Sequence, residues 1–142
     1  MICTFIPMHQ RRQQGKQQRH FFVPGCNVRS AVRLPDNLSI FSAELIAIKR
    51  SLAWALEFFK PDSLVKNIAI FSDSLSSVNA IKAAKSSCRP NTLNEINDLV
   101  DDIKMEVKLI WIPSHLGIAG NETADQLAQS AAGYDIMCKY VF

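Results

Sequence analysis

Four side chains in this sequence suit hydrolytic chemistry, and each stands near the end of a predicted helix or strand. They are three carboxylates, Glu44, Asp73 and Asp125, and one imidazole, His115. Carboxylates that the fold brings together repel one another unless they are protonated or cations lie between them. Oxygen ligands favour Mg²⁺ or Mn²⁺ over zinc. Since Mg²⁺ keeps several waters and accepts phosphate oxygens, the natural substrate of such a site is a phosphodiester.

The segment Val107–Asp125, VKLIWIPSHLGIAGNETAD, predicts a strand, a loop and the start of a helix. Pro113 ends the mostly buried strand because it has no N–H for a sheet. His115 lies in the following glycine-containing loop, and Asn121 is suited to cap the last helix. His115 and Asp125 are therefore expected beyond the carboxyl end of a strand, where open α/β sheets bind ligands. Taken singly, such an Asp is more often a dipole or capping residue, and such a His is usually solvated.

Glu44 belongs to the clearest predicted helix, Leu38–Phe59, whose apolar residues follow spacings of three and four. Ser39 or Ser42 can cap this helix. Glu44 extends the buried stripe, and a carboxylate directed at the core is costly unless it is hydrogen-bonded or bound to a cation. Position alone nevertheless favours the alternative that Glu44 is a first-turn acid interacting with the helix dipole.

Asp73 lies between a short buried strand, Ile68–Phe71, and a short predicted helix, Leu75–Lys85. This position suits a ligand at the end of a strand. Capping of the helix that follows is an equally good interpretation of the same pattern.

The other predicted elements complete a mixed sheet with helices on its faces. Met1–Met8 is short and apolar and can form a strand. Phe21–Val23 and Asn27–Leu34 predict a hairpin with a Pro-Gly turn between them. Thr92–Glu95 has the form of a capping box at the start of a third helix. Gly133 ends the last helix.

Composition limits the class of protein. The chain has 142 residues, 48% hydrophobic and 20% charged, which is typical of one globular domain. No apolar run approaches the roughly 20 residues of a membrane span. Arg11 and Arg12 follow the apolar start, which is the wrong order for a secretory signal. The four scattered cysteines indicate neither zinc nor disulfides, so a reducing intracellular compartment is expected.

The net charge of +3 is unevenly distributed. Residues 1–20 carry four basic residues and no acid, which leaves 12 basic and 13 acidic residues, or −1, for residues 21–142. A basic N-terminal arm could contact phosphates. A solvated linker is the commoner explanation for a segment rich in Gln and Arg.

Three motifs together resemble type 1 ribonuclease H domains, most closely those in reverse transcriptases of jockey-like non-LTR retrotransposons. Glu44 lies in R-L-P-D-N-x-S-I-F-S-A-E-L-x-A-I, and Asp73 lies in I-x-I-F-S-D-S-x-S-S. His115 and Asp125 lie in W-I-P-x-H-x-G-I-x-G-N-E-x-A-D-x-L-A. The resemblance covers roughly residues 21–133, and the motifs lie in the family's order.

The resemblance implies a ribonuclease H-like α/β fold, a mixed five-stranded sheet flanked by helices. Residues matching Glu44, Asp73 and Asp125 help to bind two Mg²⁺ ions in that family, and Mn²⁺ is a possible substitute. The residue matching His115 assists proton transfer or product departure. The implied reaction is cleavage of the RNA strand of an RNA–DNA hybrid, leaving 3′-hydroxyl and 5′-phosphate ends.

The implied partner is nucleic acid and not a membrane, and the domain is compatible with a former fusion to a reverse transcriptase. Selection for RNA would depend on contacts with its 2′-hydroxyl groups. Contacts to the substrate are expected at Ser74 and Asn121.

The sequence departs from the family at its first strand, which normally carries an Asp in a T-D-G-S-like motif and contacts both metal ions. No such motif precedes Phe21, and Asp36, the only Asp before Glu44, matches a non-catalytic position. We expect Met1–Met8 to substitute for that central strand, between the hairpin and Ile68–Phe71, without supplying an acid. The chain thus resembles a fragment whose true beginning was replaced or mis-predicted.

These observations predict a divergent basic arm over residues 1–20, a ribonuclease H-like domain over 21–133 and a tail over 134–142. They also predict weak Mg²⁺ binding and impaired or absent cleavage. The alternative function is that of a catalytically inactive, nucleic-acid-binding relic of a retrotransposon. Transposases and integrases share the broad fold but use other motifs.

Overall fold

The computed structural model describes the backbone at residues 2–9, 18–23, 28–35, 37–60, 62, 65, 67–84, 89–111 and 139–141. Within these ranges, side chains are described between residues 34 and 111. The described residues form one mixed sheet and three α-helices.

The sheet has six described strands in the order β3-β2-β1-β4-β5-β6. The sequence predicts five, and the additional strand, β6, lies in the tail for which no structure is predicted. β4 pairs in parallel with β1 and with β5, and the other neighbours are antiparallel. The strands are β1 Ile2–His9, β2 Gln18–Val23, β3 Val28–Arg33, β4 Asn67–Ser72, β5 Glu106–Trp111 and β6 Lys139–Val141.

β1 lies near the centre of the sheet, between β2 and β4. This is the position predicted for residues 1–8. Its register with β4 runs from Ile2 opposite Asn67 to Phe5 opposite Ile70. The backbone groups of β4 are thereby paired on both sides, as a buried strand requires. Part of the predicted N-terminal arm is therefore an integral strand of the sheet.

The predicted hairpin is confirmed, since β2 and β3 pair in antiparallel register from Gln18 opposite Arg33 to Val23 opposite Val28. The break between these strands coincides with the Pro-Gly turn signal in the sequence.

The helices are α1 Ile40–Phe58, α2 Leu75–Ala83 and α3 Pro90–Asp102. Ser39 caps α1, and its Oγ accepts a hydrogen bond from the Ser42 N–H at 3.1 Å. The predicted capping box at Thr92 is wrong, because α3 already begins at Pro90 after the N-cap residue Arg89. Proline is common at the first helical position. An N–H there would have no acceptor within the helix, so its absence costs nothing, and the φ angle of proline is already helical.

The main core lies between the helices and strands β4 and β5. Each fully buried Leu or Ile contributes about 1.5–3 kcal/mol relative to an exposed side chain. The predicted stripe of α1 is confirmed, and the same core takes apolar side chains from the two shorter helices. The buried residues of this core include Leu45, Ile48, Leu52, Ile68, Ile70, Val78, Ile81, Leu93, Ile96, Val107 and Leu109.

No helix in the described residues is both long and apolar enough to cross a membrane.

Candidate active site

Glu44 is buried inside the first helix. It is the fifth residue of α1, and its relative exposure is 2%. It lies four and eight residues before Ile48 and Leu52, so helical periodicity places it on the stripe that these residues bury. The first turn of α1 contains no acid, so the interpretation of Glu44 as a first-turn dipole residue is wrong.

The burial of Glu44 has an energetic consequence. Its Oε2 atom accepts no hydrogen bond within the described part of the chain, although the residue does take part in a polar or electrostatic interaction. A carboxylate removed from water is costly as an anion unless hydrogen bonds or a cation compensate for the lost hydration. A buried Glu on the core stripe of a helix is therefore held either by contacts within the protein or by a cation.

Asp73 is the residue between the end of β4 and the cap of α2. It is partly exposed, unlike Ser72 before it. The cap is Ser74, whose Oγ accepts a hydrogen bond from the Ser77 N–H at 3.4 Å and lies 2.7 Å from the Ser77 Oγ. The interpretation of Asp73 as a helix cap is therefore wrong.

The turn at Asp73 is held by contacts from two directions. The Ser74 N–H donates to the Ser72 Oγ at 3.2 Å, which closes a short turn around Asp73. The indole Nε1 of Trp111 donates to the Asp73 carbonyl oxygen at 3.3 Å. Trp111 ends β5 and lies opposite Ser72 in the parallel register of β4 and β5. The end of one central strand therefore supports the turn at the end of the other.

Two contacts establish the direction of α1 relative to α3. The Arg89 Nε donates to the Ser42 Oγ at 3.0 Å, and the Lys49 ammonium lies 2.7 Å from Glu95. The order of the partners along both helices shows that α1 and α3 run side by side in the same direction. The end of α3 leads within a few residues into the start of β5. An antiparallel course of α3 along β5 would bring the starts of both helices toward the carboxyl ends of the strands.

The direction of α1 favours the prediction that Glu44 and Asp73 lie toward the same end of the sheet. α3 has 13 residues and β5 has six, so each spans about 20 Å. If α3 runs antiparallel along β5, the start of α3, and the start of α1 bound to it, reach the level at which β5 ends. Asp73 directly follows the carboxyl end of β4 at that level. Carboxylate oxygens are the ligands that a hard cation such as Mg²⁺ prefers.

The remaining predicted site residues, His115, Asn121 and Asp125, lie outside the described residues. Among the residues described, no group of three or more His, Cys, Asp or Glu side chains is arranged to hold a metal ion. The predicted three-carboxylate cluster depends on Asp125 for its third member, so its convergence stays a prediction.

Two residues of the site region are not singled out by the sequence patterns. Trp111 is predicted only as an apolar strand residue, and Arg89 is part of no predicted motif. The feature that could have identified Trp111 from the sequence is its indole N–H, since a partly buried Trp usually has a hydrogen-bond acceptor. The signal for Arg89 is its position directly before Pro90, which marks a helix start.

The family model described as RNase H matches residues 11–133, which is most of the chain and begins ahead of the motifs. No curated protein matches the sequence at a significant level. Members of this family act on nucleic acid, typically with divalent metal ions. From the extent of the family match, we conclude that the chain belongs to the RNase H family.

Proposed function

We propose that this domain is a ribonuclease H-type endonuclease of retrotransposon origin, related to the jockey-like reverse transcriptases, whose cleavage activity is impaired. Its substrate is the RNA strand of an RNA–DNA hybrid, and its cofactors are two Mg²⁺ ions, which Mn²⁺ can replace. Family membership supports the reaction class. The observation that carries the proposal is the burial of the Glu44 carboxylate within α1, at a position that matches a metal ligand of the family.

In this proposal the carboxylates of Glu44, Asp73 and Asp125 hold the metal ions. When bound, two such ions activate a water molecule and stabilise the leaving oxygen of the phosphodiester. Glu44 is the most constrained ligand, because its side chain is enclosed in the core and has little freedom to turn away. Asp73 is more accessible, on a turn that Trp111 and Ser72 hold in place. His115 assists proton transfer or product departure.

Arg89 provides positive charge for phosphate binding near these carboxylates. Its guanidinium is partly buried and is anchored by the Ser42 hydroxyl, two residues before Glu44. Anchoring lowers the loss of side-chain freedom on binding, and a guanidinium fork matches the oxygens of a phosphate. Ser74 and Asn121 are proposed as further substrate contacts. Ser74 is the cap of α2, so its backbone lies at a helix end that favours anions.

The expected impairment follows from β1. This strand occupies a central position in the sheet but contains neither Asp nor Glu between Ile2 and His9. The family resemblance implies an acid on the first strand that contacts both metal ions. Without it, the remaining carboxylates offer fewer ligands, so Mg²⁺ binding should weaken and the geometry that activates water should be less well fixed.

The same observation favours the alternative function, an inactive relic that still binds nucleic acid. Phosphate contacts and recognition of duplex shape do not require the absent acid. Hybrid binding without cleavage is therefore the property that separates the alternative from an impaired enzyme.

The deciding experiment measures cleavage of an end-labelled RNA–DNA hybrid in Mg²⁺ and in Mn²⁺. It compares this chain, its Asp73→Asn variant and a version in which a T-D-G-S first strand replaces residues 1–8. We expect little cleavage by the unaltered chain and none by Asp73→Asn. The version with the T-D-G-S strand should gain cleavage activity that depends on Asp73. Strong cleavage by the unaltered chain that Asp73→Asn abolishes would contradict the impairment. If the version with the T-D-G-S strand binds the hybrid but does not cleave it, the result would favour the inactive, nucleic-acid-binding relic.

A further inference from the structure

The contact between Trp111 and Asp73 joins the ends of two strands through a side chain and a backbone group. The residues are 38 positions apart, and the indole Nε1 lies 3.3 Å from the Asp73 carbonyl oxygen. Trp111 is partly buried and packs against the main core, so its ring is supported by core residues. The donor that reaches Asp73 therefore comes from a side chain held in place by packing.

The Asp73 carbonyl needs such a partner because α2 does not use it. The first carbonyl to enter the hydrogen bonding of α2 belongs to Ser74, which accepts from the Val78 N–H at 3.1 Å. Asp73 lies one residue before this point. On its other side, Ser72 is the last residue of β4 and is fixed by the sheet. The indole thus restrains the peptide plane between Asp73 and Ser74, at the point where the strand no longer does so.

Restraint of both adjoining peptide planes determines the φ and ψ angles of Asp73. The direction of a Cα–Cβ bond follows from the backbone, and the allowed χ1 rotamers depend on φ and ψ. We propose that Trp111 is a positioning residue, whose indole N–H sets the direction in which the Asp73 carboxylate leaves the end of β4. The functional part of this inference rests on the proposed role of Asp73 as a metal ligand.

The positioning role predicts a specific effect of Trp111→Phe. Phenylalanine retains an aromatic ring for packing but has no N–H, so the Asp73 carbonyl loses its donor while most apolar contact remains. Groups that orient a ligand typically contribute about 10- to 100-fold in metal affinity. A purely structural role of Trp111 would lower thermal stability without changing the side-chain rotamer of Asp73.

The matched control is Trp54→Phe, because the chain has two tryptophans. Trp54 lies near the end of α1, where it stacks on Phe58 with ring centroids 4.6 Å apart, and it contacts Phe59 edge to face. Its replacement also removes one indole N–H and changes the core to a similar extent. In a ¹⁵N-labelled protein, the two variants assign the two indole signals.

The experiment uses NMR spectroscopy of the full chain. The first measurement is hydrogen exchange of the Trp111 indole N–H in the unaltered protein, which we expect to be slower than in free indole. The second is the Hα–Hβ couplings of Asp73, which report χ1 and should move toward rotamer averaging in Trp111→Phe alone. The third is broadening of the Ser74 amide signal by Mn²⁺, which should require about 10-fold more Mn²⁺ in Trp111→Phe and an unchanged amount in Trp54→Phe.

These measurements separate the inference from the proposed function. Unprotected exchange of the Trp111 indole would overturn the inference, even if the variant does not fold. Unchanged Asp73 couplings, or an unchanged requirement for Mn²⁺ where the unaltered chain binds it, would also overturn it. Couplings that respond to Trp111→Phe in a chain that Mn²⁺ never broadens would support the positioning and reject the metal site.

Discussion

The Arg89 guanidinium donates from Nε to the Ser42 Oγ at 3.0 Å, and so connects the start of α3 to the first turn of α1. The Ser39 Oγ extends this contact by donating to the Ser42 Oγ at 2.9 Å. A cation is thereby held where the positive ends of two helix dipoles meet. The positive charge concentrated at this point favours binding of an anion. A nucleic acid phosphate is the anion that the proposed substrate offers.

Replacement of Arg89 by Gln should weaken hybrid binding and reduce its dependence on salt. Loss of one phosphate contact lowers the slope of log binding constant against log salt concentration by about one. Arg89→Lys keeps the charge and should retain most of that slope. The measurement is fluorescence anisotropy of a labelled hybrid at several salt concentrations.

The control for Arg89 is Lys49→Gln, because Lys49 connects the same two helices through its ion pair with Glu95. An exposed pair of this kind contributes about 0.2–1 kcal/mol to stability. Lys49→Gln should therefore change the free energy of unfolding slightly and leave the salt slope unaltered. Equal slopes for Arg89→Gln and the unaltered chain would exclude a phosphate contact by Arg89.

Mg²⁺ should stabilise the folded chain through Glu44. A ligand that binds only the folded state raises the free energy of unfolding by about 2.7 kcal/mol at one hundred times its dissociation constant. Glu44→Gln preserves the shape of the side chain but removes its charge, so the rise in melting temperature with Mg²⁺ should become smaller or vanish. Differential scanning calorimetry across a Mg²⁺ titration measures this difference.

Glu57→Gln is the matched control for that experiment, because Glu57 lies on the same helix but is exposed to solvent. Its response to Mg²⁺ should equal that of the unaltered chain. If Glu44→Gln keeps the full Mg²⁺-dependent rise, Glu44 does not take part in metal binding and the proposed ligand set is wrong.

Met8→Asp should restore cleavage activity. The register of β1 with β4 pairs residues 65 positions apart, as in Ile2 with Asn67 and Phe5 with Ile70. The same offset, continued along β1, brings position 8 level with Asp73. Neighbouring residues in register share a face of a parallel sheet, so an acid at position 8 is placed to complete the ligand set. The readout is cleavage of a labelled hybrid in Mg²⁺.

Met8→Asn separates charge from size in this prediction, because it introduces a polar side chain of similar volume without a carboxylate. We expect no gain in cleavage from Met8→Asn, and loss of the gain when Met8→Asp is combined with Asp73→Asn. Equal activity of the Asp and Asn variants would show that position 8 does not supply a missing metal ligand.

Periodicity and turn signals predict much of the fold. The spacing of Leu45, Ile48 and Leu52 identifies the buried face of α1, and the Pro-Gly signal locates the break between β2 and β3. The start of α3 is not predicted correctly, because Pro90 and the Thr92 motif are both valid helix-start signals two residues apart. β6 is not predicted, since three residues carry no readable periodicity and depend on pairing with β5.

The candidate site, like the fold, is predicted only in part from the sequence. The choice between a buried ligand and a first-turn acid at Glu44 cannot be made from position, because it depends on which residue begins α1. The choice at Asp73 depends on whether Ser74 caps α2 in its place. Hydrogen bonds from Trp111 and Arg89 cross 38 and 47 positions of sequence, and no local pattern encodes such partners.

The pairing of β1 with β4 also has a consequence for the order of folding. Its partners are separated by 65 positions, and closing such a loop costs about 4 kcal/mol in chain entropy before any contact compensates for it. β2 and β3 are joined by a short connection and can pair at little entropic cost. We therefore expect pulse-labelling hydrogen exchange to protect amides of the β2–β3 hairpin before those of β4, while simultaneous protection would contradict this order. Until β4 arrives, β1 presents an open strand edge, which makes the partly folded chain prone to pair with other copies of itself.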